Sequence, residues 1–208
     1  MNYTQLVAEI QSYTENQFTT TDINTFIDEA EQRIYNSVQI PAIRKNVTGN
    51  VSSDNQYLSI PSDWLATFSL AVVNSGEYQY LLNKDVNFIR AAYPSSSYKA
   101  VPEYYAVFDQ NTFILGPTPD QNYVAELHYF YYPESIVTAV NTWIGDNFDS
   151  VLLYGALLEA YTYMKGEADV YAAYQKRYDE AMDLLKQLGD AKDRQDAYRS
   201  GQVRYPVR

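Results

Sequence analysis

DNFDSVLLYGALLEAYTYMKGEADVYAAYQKRYDEAMDLLKQL, residues 146–188, reads as two helices joined at a glycine, and this stretch decides the fold. In its first half Phe148, Val151, Leu152, Gly155, Leu158 and Tyr161 or Thr162 recur every three or four residues. At 3.6 residues per turn that spacing puts them on one buried face. Asp146 stands where an N-cap carboxylate would accept from the free amides of the first turn, and Asp149 suits the positive helix end. Gly166 is the expected stop, since glycine takes the left-handed conformation without strain. A second helix is predicted from near Glu167, with Tyr171, Tyr174, Tyr178, Ala181, Leu185 and Leu188 as a heptad seam that Gly189 closes. Two such helices make a hairpin with one apolar side open, so other helices must cover it.

The N-terminal segment supplies that cover. Tyr3, Leu6, Ile10 and Tyr13 form a short helical stripe, and Thr19-Thr20-Thr21 offers N-cap hydroxyls. From Asp22 to Val38 the residues Ile23, Phe26, Ile27, Ala30, Ile34 and Val38 line one side, with Asp28, Glu31, Gln32 and Tyr35 expected mostly away from it. Pro41 marks the end. From about Lys45 to Pro133 the period changes to strand-like alternation. Strands are predicted over 46–52, 57–60, 65–73, 78–82, 103–108, 112–115 and 123–132, turning at Asn74-Ser75-Gly76, Asp109-Gln110-Asn111 and Gly116 to Asp120, as a meander. A short helix over Asp85 to Ala92 is expected to turn Phe88, Ile89 and Ala92 inward. The expected fold class is α+β. Both chain ends, residues 1–40 and 142–190, form an antiparallel helical bundle carrying an inserted antiparallel β module, 45–133, and residues 191–208 are an extended C-terminal tail.

A chain of 208 residues that is 46% hydrophobic can build a real core. No apolar run approaches the roughly 18 residues of a spanning helix, and the start MNYTQ lacks a basic segment followed by an apolar one. The expectation is a soluble protein without a signal peptide or membrane contact. Absence of cysteine excludes disulfides and thiolate chemistry and fits assembly in a reducing cytoplasm. The net charge is −11; the last ten residues hold three arginines and no acid, so the preceding 198 carry −14. Such a body repels nucleic-acid phosphates. Tyrosine, at 22 residues against 8 Phe, is the unusual count, and it is a residue enriched where proteins meet.

Signals for chemistry are sparse, and no catalytic residue, metal ligand or cofactor is expected. His128 is the single histidine, which removes multi-histidine metal sites and leaves a nucleophile scheme short of its usual base. It alternates onto one strand face with Glu126 and Phe130, where it is either a hydrogen-bonded strand histidine or a base. The glycines form no phosphate loop, and Gly155 with Ala156 and Ala160 suits close helix approach. Tyr129 to Pro133 is either a sugar-stacking platform or, as the stronger expectation, strand packing or an interface. The tail is either a frayed terminus or a docking strand. For docking, Val203, Tyr205 and Val207 alternate with Arg204, Pro206 and Arg208, and Arg199 precedes a Gly201 hinge.

Five segments in this order resemble the head-to-tail adaptor (connector) proteins of short-tailed bacteriophages. They are Phe26-Ile27-Asp28-Glu29-Ala30-Glu31-Gln32-Arg33-Ile34, Tyr57-Leu58-Ser59-Ile60-Pro61-Ser62-Asp63-Trp64-Leu65, Val101-Pro102-Glu103-Tyr104-Tyr105, Ile114-Leu115-Gly116-Pro117-Thr118-Pro119, and the run from Asn147 to Ala160. The resemblance implies a virion protein of the neck, assembled in the host cytoplasm. It implies a homo-oligomeric ring, usually a dodecamer, that joins the portal protein to a tail nozzle or tail tube protein. Double-stranded DNA would pass through its centre during genome ejection, and no enzymatic activity is implied. On that reading the portal-binding tail is Arg199, Val203, Arg204, Tyr205, Val207 and Arg208. Acidic channel lining would come from Asp28, Glu29 and Glu31 or from Glu167, Asp169, Asp179 and Glu180, the same residues otherwise being an outward solvated face. The alternative from another class is a carbohydrate-binding or carbohydrate-active phage protein.

Overall fold

A computed structural model describes residues 1–193 of the chain. In order, the elements are helices α1 (Tyr3–Thr14) and α2 (Thr20–Ser37), then strands β1 (Arg44–Val51), β2 (Tyr57–Ser59), β3 (Ala66–Asn74), β4 (Glu77–Tyr80) and β5 (Leu82–Asn83). Helix α3 (Val86–Ala92) precedes β6 (Lys99–Ala100), β7 (Tyr104–Asp109), β8 (Thr112–Gly116), β9 (Thr118–Pro119) and β10 (Tyr123–Phe130). Helices α4 (Ile136–Ala139), α5 (Trp143–Asn147), α6 (Asp149–Met164) and α7 (Ala168–Asp193) follow. The protein is thus mixed α+β with largely antiparallel sheets. It divides into two compact units, Met1–Ile43 with the chain from Tyr132 on, and Arg44–Tyr131.

In the first unit α6 is the central element, packed against α1, α2, α5 and α7. Val151, Leu152, Leu153, Ala156, Leu157 and Leu158 are all buried, so the helix is covered nearly all round rather than on the single expected face. A helix apolar on every side belongs inside a core, and here the neighbours supply that cover. Gly155 permits a close approach of α2 and α7: a Cβ there would meet the Ala30 Cβ at 3.1 Å and the Tyr178 ring at 3.3 Å.

The helix ends differ from expectation. Asp146 caps nothing; it lies inside α5, whose cap is Thr142, accepting through its hydroxyl from the Gly145 N–H at 3.2 Å. Helix α6 begins directly after α5, at Asp149, and its N-cap residue Phe148 makes no side-chain cap hydrogen bond. At its far end the left-handed residue is Lys165, φ 55°, not Gly166. Gly166 is needed for space, because a Cβ there would run into the Tyr161 ring. Gly189 does not close α7 either, since the helix continues through it to Asp193. There a Cβ would stand 3.0 Å from the Gln39 carbonyl oxygen, so that glycine serves close packing. Glu31 and Tyr35, expected away from the apolar face of α2, are both buried.

The second unit holds two four-stranded sheets in the orders β1-β10-β3-β4 and β2-β8-β7-β5, with a small β6-β9 pair. Its core draws Leu70, Val72, Ala125, Leu127 and Tyr129 from one sheet and Tyr105, Phe113 and Leu115 from the other. The alternation along β10 is strict, with Tyr123, Ala125, Leu127 and Tyr129 buried and the residues between them on the outer face. The meander is corrected: β10 lies between β1 and β3, so the last strand pairs with the first, from Arg44↔Phe130 to Val51↔Tyr123. Two short pairs, β5 with β7 and β6 with β9, are parallel. The hairpin of β3 and β4 turns at Ser75 and Gly76. In α3 only Ile89 is buried; Phe88 and Ala92, expected inward, are exposed.

Candidate interaction surfaces

The acidic candidates fall into two groups with different surroundings. On α2, Asp28 and Glu29 are exposed, and the Asp28 carboxylate accepts from the Ser135 hydroxyl at 2.9 Å. Glu31, one turn on, is only 4% exposed and accepts from the Ile136 N–H at 3.0 Å, at the start of α4. Burial pushes its carboxyl above the ordinary value; hydrogen bonds from Ser135 and Ile136 oppose that, and the Asp28 charge adds to it. The Tyr132 hydroxyl donates to the Asn36 side-chain oxygen at 2.6 Å, and its ring leans on Tyr35. Together these side chains pin the segment Tyr132 to Ile136 onto α2 beside a cavity of about 210 Å³. Glu31 therefore anchors the returning chain on α2, whereas Asp28 and Glu29 remain at the surface.

On α7, Asp169, Asp179 and Glu180 are exposed, as is Glu167 just before the helix. Asp179 accepts from the Gln175 amide at 2.8 Å, and Glu180 stands 3.9 Å from Lys176. At 100° per residue, Asp169, Lys176, Glu180 and Asp183 fall on one stripe, opposite the buried Tyr178, Ala181 and Leu185. Asp183 is the member that sequence reasoning missed. Its spacing of three from Glu180 was the available signal. The tail residues Arg199, Val203, Arg204, Tyr205, Val207 and Arg208 lie outside the described residues.

The second unit presents aromatic and cationic side chains together. The Arg44 guanidinium lies 4.7 Å over the Phe68 ring and 5.6 Å from that of Phe130, a cation stacked on two faces. Beside it a cavity of about 200 Å³ is lined by Arg44, Lys45, Asn46, Phe68 and His128. Arg90 donates to the Tyr57 hydroxyl at 2.9 Å and lies over Phe108, whose ring packs on Tyr57. Tyr78 and Tyr80, on the short β4, are 56% and 66% exposed. Arginine with tyrosine and phenylalanine is the composition of strong protein contacts.

His128 lies 3.1 Å from the Glu126 carboxylate on the outer face of β10. Hydrogen bonds from Asn46 and then Tyr78 hold Glu126 below the usual carboxylate range, with the neighbouring His128 adding to the effect. The contact is the neighbour hydrogen bond that the first of the two readings expects. Tyr129, offered as part of a sugar platform, is 1% exposed and donates its hydroxyl to Asp63 at 2.8 Å. Asp63 also pairs with Lys45 at 2.7 Å, and that contact is the main cause of its lowered pKa. Among the described residues no group of three or more His, Asp or Glu is placed to hold a metal ion. No helix among them is long and apolar enough to cross a membrane.

No curated protein matches the chain. The family model described as SU10 adaptor protein matches residues 1–205, nearly the whole length and through both units. That extent leads to one conclusion: the chain belongs to the SU10 adaptor protein family, a family of phage head-to-tail adaptors.

Proposed function

We propose that the protein assembles as a homo-oligomeric ring, a dodecamer, in the virion neck, where it joins the portal protein above to a tail nozzle or tail tube protein below. Double-stranded DNA passes through the ring during ejection. The observation that carries this reading is the family match across residues 1–205. Two further features support it: the exposed Arg, Tyr and Phe groups of the second unit, and the acidic stripe on the solvent face of α7. Asp169, Asp179 and Glu180, with Asp183 added, are the best-placed channel lining, followed by Asp28, Glu29 and Glu167. Acidic walls repel DNA phosphates and let the duplex slide without sticking. Glu31, buried against Ile136, is removed from that set.

The helices of the first unit act as one antiparallel bundle, and the β unit is a separable domain. The basic tail, Arg199 to Arg208, docks on the portal with its arginines paired to carboxylates. The role is structural and requires no cofactor. A carbohydrate-binding role is not favoured, because Tyr129 is buried and its hydroxyl is committed to Asp63. Electron microscopy of purified necks tests the proposal. A ring with the portal's copy number and a negatively charged lumen is expected; a monomer or trimer at that position, or a wide basic lumen, would sink it.

A further inference from the structure

The second unit has two opposite open edges. In its first sheet β1 and β4 are the terminal strands, and among the described residues each pairs on one side only, β1 with β10 and β4 with β3. An edge strand with free N–H and C=O groups is a template for another strand, and proteins blunt it with charge, proline or cover. Strand β4 carries none of these apart from Glu77 at its start, and it exposes Tyr78 and Tyr80. On the opposite edge β1 is eight residues long and exposed over Lys45 to Asn50.

We infer that β4 of one copy adds to β1 of the next, so that the sheet runs on from subunit to subunit around the ring. The inference rests on the ring reading above and names the surface that closes it. Strand direction supports it. Each of the pairs β1/β10, β10/β3 and β3/β4 is antiparallel, so β1 and β4 run in opposite senses. A head-to-tail neighbour related by rotation keeps its orientation, which brings the two edges together as an antiparallel pair.

Side chains support it as well. Val47 faces the core side of β1, opposite Leu127, yet is 37% exposed, because β2 is only three residues long. The result is an apolar cleft of about 320 Å³ on this edge, lined by Val47, Leu58, Pro61, Ala125 and Leu127 among others. A strand laid along β1 closes that cleft. On the outer face, the tyrosines of the incoming β4 come to lie beside the groove that contains Arg44 and Phe68, rings against a stacked guanidinium. The opposite edges therefore differ in kind, one protruding and one recessed, which suits a heterologous joint better than a two-fold one.

The absence of cysteine makes the test clean. Double variants pairing Tyr78→Cys or Tyr80→Cys with Asn46→Cys, Thr48→Cys or Asn50→Cys, all on the outer face of the sheet, are built into phage particles, oxidised, and run on denaturing gels without reductant. A ladder of multimers from at least one double variant is expected, with monomer from every single variant. Cross-linked dimers from Tyr80→Cys alone mean a two-fold β4 contact and overturn the inference. So do rings that form normally, by microscopy, while every double variant stays monomeric; in that case the ring reading stands and only the joint is wrong. Tyr80→Arg gives a second readout: fewer assembled rings with an unchanged circular dichroism spectrum is expected, and normal ring yield counts against the joint. Particles whose wild-type protein forms no ring refute the functional reading itself.

Discussion

Replacing Glu31 with alanine removes the acceptor that holds the start of α4. The Ile136 N–H, bonded to the carboxylate at 3.0 Å, is left buried without a partner, and the Ser135 hydroxyl loses one as well. A buried amide without an acceptor costs about 1–3 kcal/mol. Relief of the carboxylate's desolvation offsets part of that, so the net loss is about 2 kcal/mol. For a chain of this size the midpoint of thermal unfolding should fall by about 4–8 °C. Glu31→Gln keeps an acceptor oxygen while removing the charge, and it should match or exceed wild type at neutral pH. The pH dependence has a definite sign. Because the folded-state pKa is raised above the ordinary 4.5, the native protein binds this proton more tightly than the unfolded chain does. Stability from this group is fully present below the unfolded value and is lost as pH rises through the folded one. The advantage of Glu31→Gln over wild type should therefore grow from pH 4 towards pH 7. Melting curves followed by circular dichroism across that range decide the matter; equal midpoints for the alanine and glutamine variants, or an advantage that shrinks with pH, would refute the reasoning.

Leu185→Asp places a charge at a position that is 0% exposed and should cost about 3–5 kcal/mol, seen as loss of cooperative melting; a midpoint within a few degrees of wild type argues against its place in the core. Gly155→Val should destabilise by about 2 kcal/mol, since overpacking against Ala30 and Tyr178 outweighs the few tenths of a kcal/mol gained in helix propensity; urea midpoints measure it, and a more stable variant contradicts the close approach. Deleting Gly201 to Arg208 should leave thermal stability unchanged but weaken co-sedimentation with purified portal, with the full-length protein's binding falling as salt rises. Equal portal binding by the two forms removes the tail from that interface.

Periodicity made faces legible, and it could not show partners. The seam Tyr178, Ala181 and Leu185, the stripe of α2 and the alternation of β10 were all readable, because burial on one side imposes a period on the chain itself. That β10 inserts between β1 and β3 was not, since an inner strand with one buried face alternates just as an edge strand does. Glycines misled for a related reason. Gly166 and Gly189 look like stops, yet each answers to a neighbouring side chain or carbonyl rather than to its own backbone angles. Glu31 was misplaced because its position on the helix wheel borders the apolar stripe, and only the returning segment at Ser135 and Ile136 buries it. At the candidate surfaces the acids of α7 were readable from spacing. The pairing of Arg44 with Phe68 and Phe130 was not, because it brings together three strands distant in sequence.

The pairing of Arg44 with Phe130 has a consequence for how the chain folds. Helix α2 must find α6 across more than a hundred residues, a closure whose entropic cost slows folding. Strands β1 and β10 begin and end the intervening segment and lie side by side, so once that sheet forms, the two ends of the long loop are already neighbours. The effective loop between α2 and α4 then shrinks to the few residues outside the sheet. The β unit should accordingly act as a clasp that forms first and brings the two helical segments together. Pulse-labelled hydrogen exchange during refolding would show protection in β1, β3 and β10 before α6, and the reverse order would contradict it.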